Sequence, residues 1–155
     1  MNRNLIFVFL LLATIAIVNA VQYPLFKKGK DIYLPCSKKN PEGSVIHANL
    51  NPFPPVSNQT SNYTVEGVMM DYDITPYKTE VIIVFADSNK TDIDDPYFKA
   101  VDLYYSKQTP FSIDVPDVPT PQLPSAYVIV VVIADKTDDP KKRDVHACIH
   151  AKLGF

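Results

Sequence analysis

Residues 126–134 read Ala-Tyr-Val-Ile-Val-Val-Val-Ile-Ala, with no charged residue, no Gly and no Pro. β-Branched side chains favour extended backbone, and the run is far shorter than the roughly 20 apolar residues that a membrane-spanning helix needs. In a strand, Tyr127, Ile129, Val131 and Ile133 would share one face, and residues 128, 130 and 132 the other. A strand with one wetted face should alternate apolar and polar residues. We therefore expect either a central core strand covered on both sides or the wall of an apolar cavity.

The N-terminus has the layout of a secretory signal peptide. Arg3 gives a positive start, Leu5 to Val18 is apolar except for Thr14, and Val18-Asn19-Ala20 suits a cleavage site. We predict a signal peptide over residues 1–20 and a mature domain over residues 21–155. The alternative is an uncleaved anchor, but the run is short and no basic cluster follows it at once. The expected location is extracellular, or the lumen of the secretory or vacuolar pathway.

The composition favours one all-β domain. The chain of 155 residues has 14 Pro, 4 Gly, no Trp and 17 Tyr and Phe together, which argues against a helical bundle. Arg3 is the only charged side chain in residues 1–20, so the formal charge of −2 becomes −3 for residues 21–155. A mildly acidic chain without a basic patch is a poor candidate for nucleic-acid binding.

The two cysteines and three sequons agree with export. Cys36 and Cys148 are most simply one disulfide in an exported chain, although free thiols or an intermolecular bridge would satisfy the same count. Asn58, Asn62 and Asn89 each begin an Asn-X-Thr acceptor sequence, which predicts glycosylation at surface positions.

The pattern of apolar runs and prolines predicts seven or eight strands and no helix. We therefore predict an all-β fold, a two-sheet immunoglobulin-like β-sandwich. A standard immunoglobulin domain is disfavoured because the core Trp is absent and the cysteines lie too far apart in the chain. Gly67, inside a strand, predicts a bulge or a close backbone approach, and Asp135 to Arg143 reads as a polar hairpin loop. The predicted strands span Asp31–Leu34, Ser44–Leu50, Asn62–Met70, Thr79–Ala86, Ala100–Tyr105, Phe111–Val115, Ala126–Ala134 and Asp144–Leu153.

The order of several short motifs resembles the ML lipid-recognition domains. This family includes the fungal phosphatidylglycerol/phosphatidylinositol transfer proteins, the Niemann–Pick type C2-like sterol carriers and the mite group 2 allergens. The resemblance covers residues 31–153 and rests on an early Cys36, a final-strand Cys148, and motifs between them; Tyr104 stands where the family usually has a cysteine. The motifs are Asn51-Pro52-Phe53-Pro54-Pro55, Asn62-Tyr63-Thr64-Val65-Glu66-Gly67, Val101-Asp102-Leu103, Phe111-Ser112-Ile113-Asp114-Val115-Pro116 and Pro124-Ser125-Ala126-Tyr127-Val128-Ile129-Val130.

The resemblance implies an apolar cavity between the two sheets that holds acyl chains or a sterol. The implied ligand is a phospholipid such as phosphatidylglycerol or phosphatidylinositol, or a sterol, and the Pro-rich corners near Phe53 and Pro119 are candidates for the mouth. Ordinary packed core is the alternative for each candidate lining residue. These candidates are Tyr63, Val65, Met69, Val81, Ile83, Phe85, Val101, Leu103, Phe111, Ile113, Tyr127, Ile129 and Val131.

Three patterns that suggest other chemistry are weak. His146, Cys148 and His150 alternate along one predicted strand, but a disulfide would remove the thiolate, and strand residues two apart are separated by roughly 7 Å. The Asp87 loop resembles the start of a calcium site but lacks the sixth-position Gly and the twelfth-position acid. No nucleophile elbow is present. We expect no metal, no cofactor and no catalytic residues.

The sequence therefore predicts a secreted, non-enzymatic lipid-binding or lipid-transfer protein. We expect a monomer that contacts membranes transiently. The alternative is a secreted adhesion or effector-type sandwich with a packed core and a protein partner. An apolar cavity between the sheets would favour the first function, and a tightly packed interior with an exposed apolar patch would favour the second.

Overall fold

The computed structural model describes residues 32–36, 44–139 and 142–155. The predicted signal peptide and Asp31 lie outside these ranges. Within them the regular structure is all strand, and none of these residues forms a helix that could cross a membrane. The strands are β1 (Leu34–Pro35), β2 (Val45–Asn51), β3 (Thr60–Val68), β4 (Thr79–Asp87), β5 (Tyr97–Ala100), β6 (Pro110–Pro119), β7 (Tyr127–Lys136) and β8 (Arg143–Leu153).

Two antiparallel sheets pack against each other, which confirms the predicted β-sandwich. The larger sheet has the strand order β1-β8-β7-β4-β5, and the smaller has the order β2-β3-β6. Strand β7 is the middle strand of the larger sheet, where it pairs with β4 on one side and β8 on the other. The apolar stretch that predicted a central strand is therefore the centre of this sheet.

The two faces of β7 have different surroundings. Tyr127, Ile129, Val131 and Ile133 point between the sheets and are buried. The three valines at 128, 130 and 132 lie on the outer face of the larger sheet and are half-buried. The inner face of β7 thus contributes to the hydrophobic core, whereas its outer face is only partly covered.

The strand predicted over Ala100–Tyr105 is wrong in its bounds. Strand β5 ends at Ala100, which pairs with Glu80 of β4. The Val101 amide still donates to the Thr79 carbonyl, but β4 begins at Thr79, so the chain has no further partner along this edge. It leaves the sheet and crosses towards β6, with a single bridge from Tyr105 to Ile74.

Strand β6 is longer than predicted, and its edge position tolerates the prolines that it contains. It continues past Val115 and includes two prolines, Pro116 and Pro119. Proline cannot donate to a neighbouring strand and is tolerated where the amide side faces away from the ladder. β6 pairs only with β3 in the order β2-β3-β6, and the register of this pairing shifts at Pro116 and Asp117, where two β6 residues lie opposite Asn62.

Gly67 marks a close backbone approach, one of the two predicted outcomes. A Cβ atom at this position would lie 2.2 Å from the Val45 carbonyl oxygen on β2. The irregularity in the pairing of β3 with β6 lies elsewhere, between Ser61 and Tyr63, and its extra residue is on β6. Glycine is required at 67 because no side-chain atom fits beside the neighbouring strand.

The cysteines form one intramolecular bridge, as predicted. Cys36 and Cys148 are joined with their Cα atoms 5.4 Å apart and 112 residues apart in sequence. The Cys36 amide also donates to the Cys148 carbonyl oxygen. The disulfide therefore holds the two-residue strand β1 against β8, where Leu34 pairs with His150.

Gly67→Ala is expected to lower the free energy of unfolding by about 1–3 kcal/mol, because the added methyl group forces the β2 backbone to move. Urea unfolding followed by circular dichroism measures the change. Ser112→Ala, at an exposed position on the neighbouring strand β6, is the control and should unfold like the wild-type protein. Equal midpoints for the Gly67 variant and the wild-type protein would contradict the close approach.

Cys36→Ser is expected to destabilise the domain by roughly 2–5 kcal/mol, because the reduced chain regains the entropy of a very long loop when it unfolds. Thermal and urea unfolding measure the loss. The double variant with serine at 36 and 148 should lose a similar amount, which excludes an effect of the remaining thiol. An unchanged melting temperature in both variants would contradict a stabilising role for the bridge.

Candidate ligand site between the sheets

Most of the predicted lining residues lie together between the sheets. Twelve of the thirteen belong to one buried apolar cluster. Leu103 does not, because it is 58% exposed on the segment that leaves the sheet after β5. The cluster members are Tyr63, Val65, Met69, Val81, Ile83, Phe85, Val101, Phe111, Ile113, Tyr127, Ile129 and Val131.

The sequence reasoning missed several members of the same cluster. β2 contributes Ile46, Ala48 and Leu50, and the end of β8 contributes Ala151 and Leu153. The alternation of buried and less buried positions in these strands was the available signal. Both sheets therefore contribute side chains to the interior.

The middle of this interior is closely packed. Val65, Val81, Ile129 and Val131 have no exposed surface, so neighbouring atoms enclose them fully. Burial of this kind is what an ordinary protein core requires. A ligand could enter here only if the two sheets moved apart or the side chains repacked.

Three tyrosines meet at the end of the sandwich where β7 begins. Tyr63 on β3 is 1% exposed, and Tyr127 is the first residue of β7. Burial, and then the neighbouring phenols of Tyr33 and Tyr127, raise the pKa of Tyr63 above its ordinary value. Burial and Tyr127 do the same for the pKa of Tyr33. These phenols therefore remain protonated and can donate hydrogen bonds.

The hydroxyls of Tyr33 and Tyr63 are buried and have no hydrogen-bond partner among the residues that the structure describes. Leaving a buried polar group unpaired costs about 1–3 kcal/mol. Native proteins rarely leave such groups unpaired without a water, an ion or a ligand to satisfy them. The tyrosine end thus differs from the purely apolar middle of the interior.

Two Pro-rich corners close this end of the sandwich. Phe53, from the first corner, and Leu123, from the second, are partly buried against the apolar cluster. The Leu123 amide donates to the Ser57 hydroxyl, and the Asn58 amide donates to the Thr120 carbonyl. Hydrogen bonds therefore connect the two corners that the sequence suggested as the opening of a cavity.

A cleft of about 340 Å³ lies where the edges of the two sheets meet, beside β5 and β6. Its lining includes Val101 and Ile113, which also belong to the buried cluster. Lys99, Asp102 and Asp114 place charged groups in the same lining. We call this cleft the seam; its walls combine charged side chains with residues of the core.

The opposite end of the sandwich holds a buried polar group. The Thr79 hydroxyl donates to Asp135 Oδ1 at 2.6 Å, and Lys78 Nζ lies 2.8 Å from Asp135 Oδ2. His146 Nε2 is 3.3 Å from the same carboxylate oxygen, and its ring stacks on Tyr72. Asp135 was predicted in a polar loop, but it belongs to β7 and is buried.

A bulge in β8 explains why His146 is buried. Ile133 pairs with Ala147 and Ala134 pairs with Val145, so His146 is the extra residue. A bulge re-aims side chains, and His146 joins the inward-facing Asp135 instead of sharing a face with Cys148 and His150. His146 therefore lies on a different face from Cys148 and His150, and the Cys148 sulfur is used in the disulfide, so the three residues do not form a group. The described residues contain no group of three metal-ligating side chains placed to hold an ion.

The Asp87 loop uses its carboxylate within the chain. Asp87 Oδ1 accepts hydrogen bonds from the amides of Asn89 and Thr91, at 2.8 and 2.9 Å. These bonds stabilise a tight turn after β4.

All three sequon asparagines are exposed. Asn58 and Asn62 already take part in side-chain hydrogen bonds, to Gln122 and to the Asp117 amide. Asn89 lies in the turn after β4. Surface exposure is what an oligosaccharide acceptor requires, and glycosylation stays a prediction.

A second depression lies on the outer face of the larger sheet. It has a volume of about 500 Å³, and valines from β4 and β7 line it with the disulfide. Lys90, Asp92, His150 and Lys152 add charged or polar groups to its lining. We call this depression the outer hollow; it lies over the half-buried face of β7.

The comparisons with known proteins give no relative. No family model, curated protein or solved structure matches this chain.

Asp135→Asn is expected to lower the free energy of unfolding by about 2 kcal/mol at pH 7, because it weakens hydrogen bonds to a buried charge. Burial opposes ionisation of Asp135, but hydrogen bonds from Lys78 and Thr79, together with the nearby His146 ring, outweigh it and lower the pKa of the carboxyl group. A lowered folded-state pKa contributes stability above the unfolded pKa of about 3.9, and this stability disappears as the pH falls through the folded value.

Urea unfolding at pH 7, 5 and 3 tests this contribution. The difference in the free energy of unfolding between the wild-type protein and the Asp135 variant should become smaller at pH 3. Asp138→Asn, at an exposed position in the same hairpin, is the control and should follow the wild-type curve. If this difference in unfolding free energy stays constant down to pH 3, the ionised Asp135 carboxylate does not stabilise the fold.

Proposed function

We propose that this protein binds a lipid between its two sheets and carries it through the secretory or extracellular space. The observation that supports this function best is the seam. It brings a surface cleft directly against Val101 and Ile113 of the buried apolar cluster. A lipid tail could enter the interior there by displacing side chains along one edge, without breaking either sheet.

The energetics of an acyl chain favour such a site. Each buried CH₂ contributes roughly 0.8 kcal/mol, so a long tail can offset the cost of separating packed side chains. The interior offers aliphatic side chains along the whole inner face of β7. The charged groups at the seam, including Lys99 and Asp102, suit a polar head group that stays near water.

The secreted location is part of the same proposal. The Cys36–Cys148 bridge fits an oxidising compartment, as do the signal-like N-terminus and the exposed sequons. The resemblance to the ML lipid-recognition domains also supports a lipid ligand. Its motifs surround the proposed site, since Tyr63, Ile113 and Tyr127 all lie in matching segments and in the buried cluster.

A second function is favoured by a different observation. The middle of the interior is closely packed, and the outer hollow exposes part of the apolar outer face of β4 and β7. These features suit a secreted interaction protein that binds a protein partner on its outer face and keeps a dry core.

Lipid extraction distinguishes the two functions. We expect the full chain, secreted by a eukaryotic host and washed free of surface lipid, to release a stoichiometric phospholipid, fatty acid or sterol for mass spectrometry. The same protein should take up a fluorescent acyl lipid from vesicles. An empty protein that takes up no lipid would contradict the carrier and favour the interaction protein.

Ile113→Phe is expected to slow or reduce lipid uptake, because a larger apolar side chain would fill the inner wall of the seam. Vesicle-to-protein transfer of the fluorescent lipid measures the effect. Val145→Phe is the matched control, since it makes a similar enlargement at an exposed position on β8 outside the seam. Both variants must first show wild-type circular dichroism. Equal uptake by the two variants would place the entry elsewhere.

A further inference from the structure

The tyrosine end of the interior holds an uncommon combination of groups. The phenol of Tyr63 is 1% exposed, lies within the apolar cluster, and its hydroxyl has no hydrogen-bond partner among the described residues. Tyr33 has a second hydroxyl in the same condition. A plain hydrocarbon tail would leave both donors unsatisfied.

We infer that the Tyr63 hydroxyl is a recognition group that donates a hydrogen bond to a single uncharged oxygen of the bound lipid. This inference rests on the proposed lipid-binding function and makes it more specific. It assigns the ligand to oxygenated lipids, in which the acceptor is an ester carbonyl or a sterol hydroxyl. Tyr33 is the neighbouring donor that the same oxygen, or a second one, would meet.

The surroundings explain why the oxygen should be neutral. The side chains around Tyr63 belong to an apolar cluster with Val65, Val115 and Tyr127 among its members. An ionised carboxylate or phosphate buried there would carry a large desolvation cost without a cationic partner. A carbonyl or hydroxyl costs far less to bury, and it gains a hydrogen bond from a donor that burial keeps protonated.

The position also gives the ligand an orientation. Tyr63 pairs with Val115 on β6 and lies near Tyr127, at the beginning of β7. An oxygen held there would leave the adjoining apolar part free to run along the inner face of β7 towards Ile133. The buried Thr79–Asp135–His146 group lies at the far end of β7, so the apolar core along this path ends before it.

Paired lipids that differ only at the oxygen test the assignment. For the ester carbonyl, diacyl phosphatidylglycerol is compared with its dialkyl ether analogue, whose ether oxygens are poorer acceptors. For the hydroxyl, cholesterol is compared with cholestane. We expect the wild-type protein to bind the oxygen-bearing member of one pair about tenfold more tightly. Which pair discriminates identifies the source of the oxygen.

Tyr63→Phe removes the donor and keeps the ring. We expect it to abolish this tenfold preference by weakening binding of the oxygen-bearing lipid, with the affinity for the analogue unchanged. Tyr72→Phe makes the same chemical change at the opposite end of the sandwich and should keep the wild-type preference. An unchanged preference in the Tyr63 variant would overturn the assignment, as would equal binding within both pairs by the wild-type protein.

A stability measurement gives a second, ligand-free test. If the hydroxyl is unpaired in the empty protein, Tyr63→Phe should leave the melting temperature unchanged or raise it. A marked fall would show that the hydroxyl already has a structural partner and would overturn the inference. Failure of every lipid to bind would overturn the proposed function itself, whereas binding without discrimination would overturn only the role of Tyr63.

Discussion

The antiparallel pairing of β7 with β4 and β8 is the constraint on which the rest of the structure depends. This pairing places four large apolar side chains of β7 between the sheets, where the three-stranded sheet β2-β3-β6 covers them. Because successive side chains alternate across a strand, the same pairing fixes the valines of the outer face. The packed interior and the outer hollow are therefore two results of one register.

The register also separates two chemical environments along β7. At its beginning, Tyr127 lies beside Tyr63 and Tyr33, whose two buried hydroxyls have no hydrogen-bond partner among the described residues. At its end, Asp135 is buried, accepts a hydrogen bond from Thr79 and forms an ion pair with Lys78, while the ring nitrogens of the neighbouring His146 have no hydrogen-bond partner among the described residues. A buried polar group that is satisfied stabilises a fold, whereas one that is not satisfied points to a missing partner. The tyrosine end is the candidate site because its unpaired hydroxyls lie against the apolar cluster that would hold a lipid tail, whereas the polar groups at the other end surround a charged carboxylate.

The parts of the fold that depend on local sequence could be predicted, and those that depend on distant neighbours could not. The strand at 126–134, the tight approach at Gly67 and the pairing of two cysteines each follow from residues within one short segment or from a count. The end of β5 depends on where β4 begins, so the sequence around Leu103 could not show that the chain leaves the sheet. The bulge at His146 is set by the pairing of β8 with β7, and it changed the face of a residue whose alternation looked regular.

The same distinction holds for the candidate site. Periodicity identified Tyr63 and Tyr127 as inward-facing, because apolar alternation is a property of the strand itself. The unpaired state of the Tyr63 hydroxyl depends on which atoms surround it in three dimensions, and no spacing in the sequence reports that. Tyr33, which lies before the short strand β1, gave no periodic signal.

The disulfide that holds β1 against β8 also has a consequence for solubility. An edge strand with free amides and carbonyls is a template on which another chain can add, and β8 would be such an edge without β1. Two residues are too few to stay in place by pairing alone, and here the covalent bond to Cys148 keeps them there. Oxidation thus covers the part of the β8 edge from Cys148 to His150 and shields it from pairing with another chain. In a reducing environment the same strand would become a nucleus for aggregation.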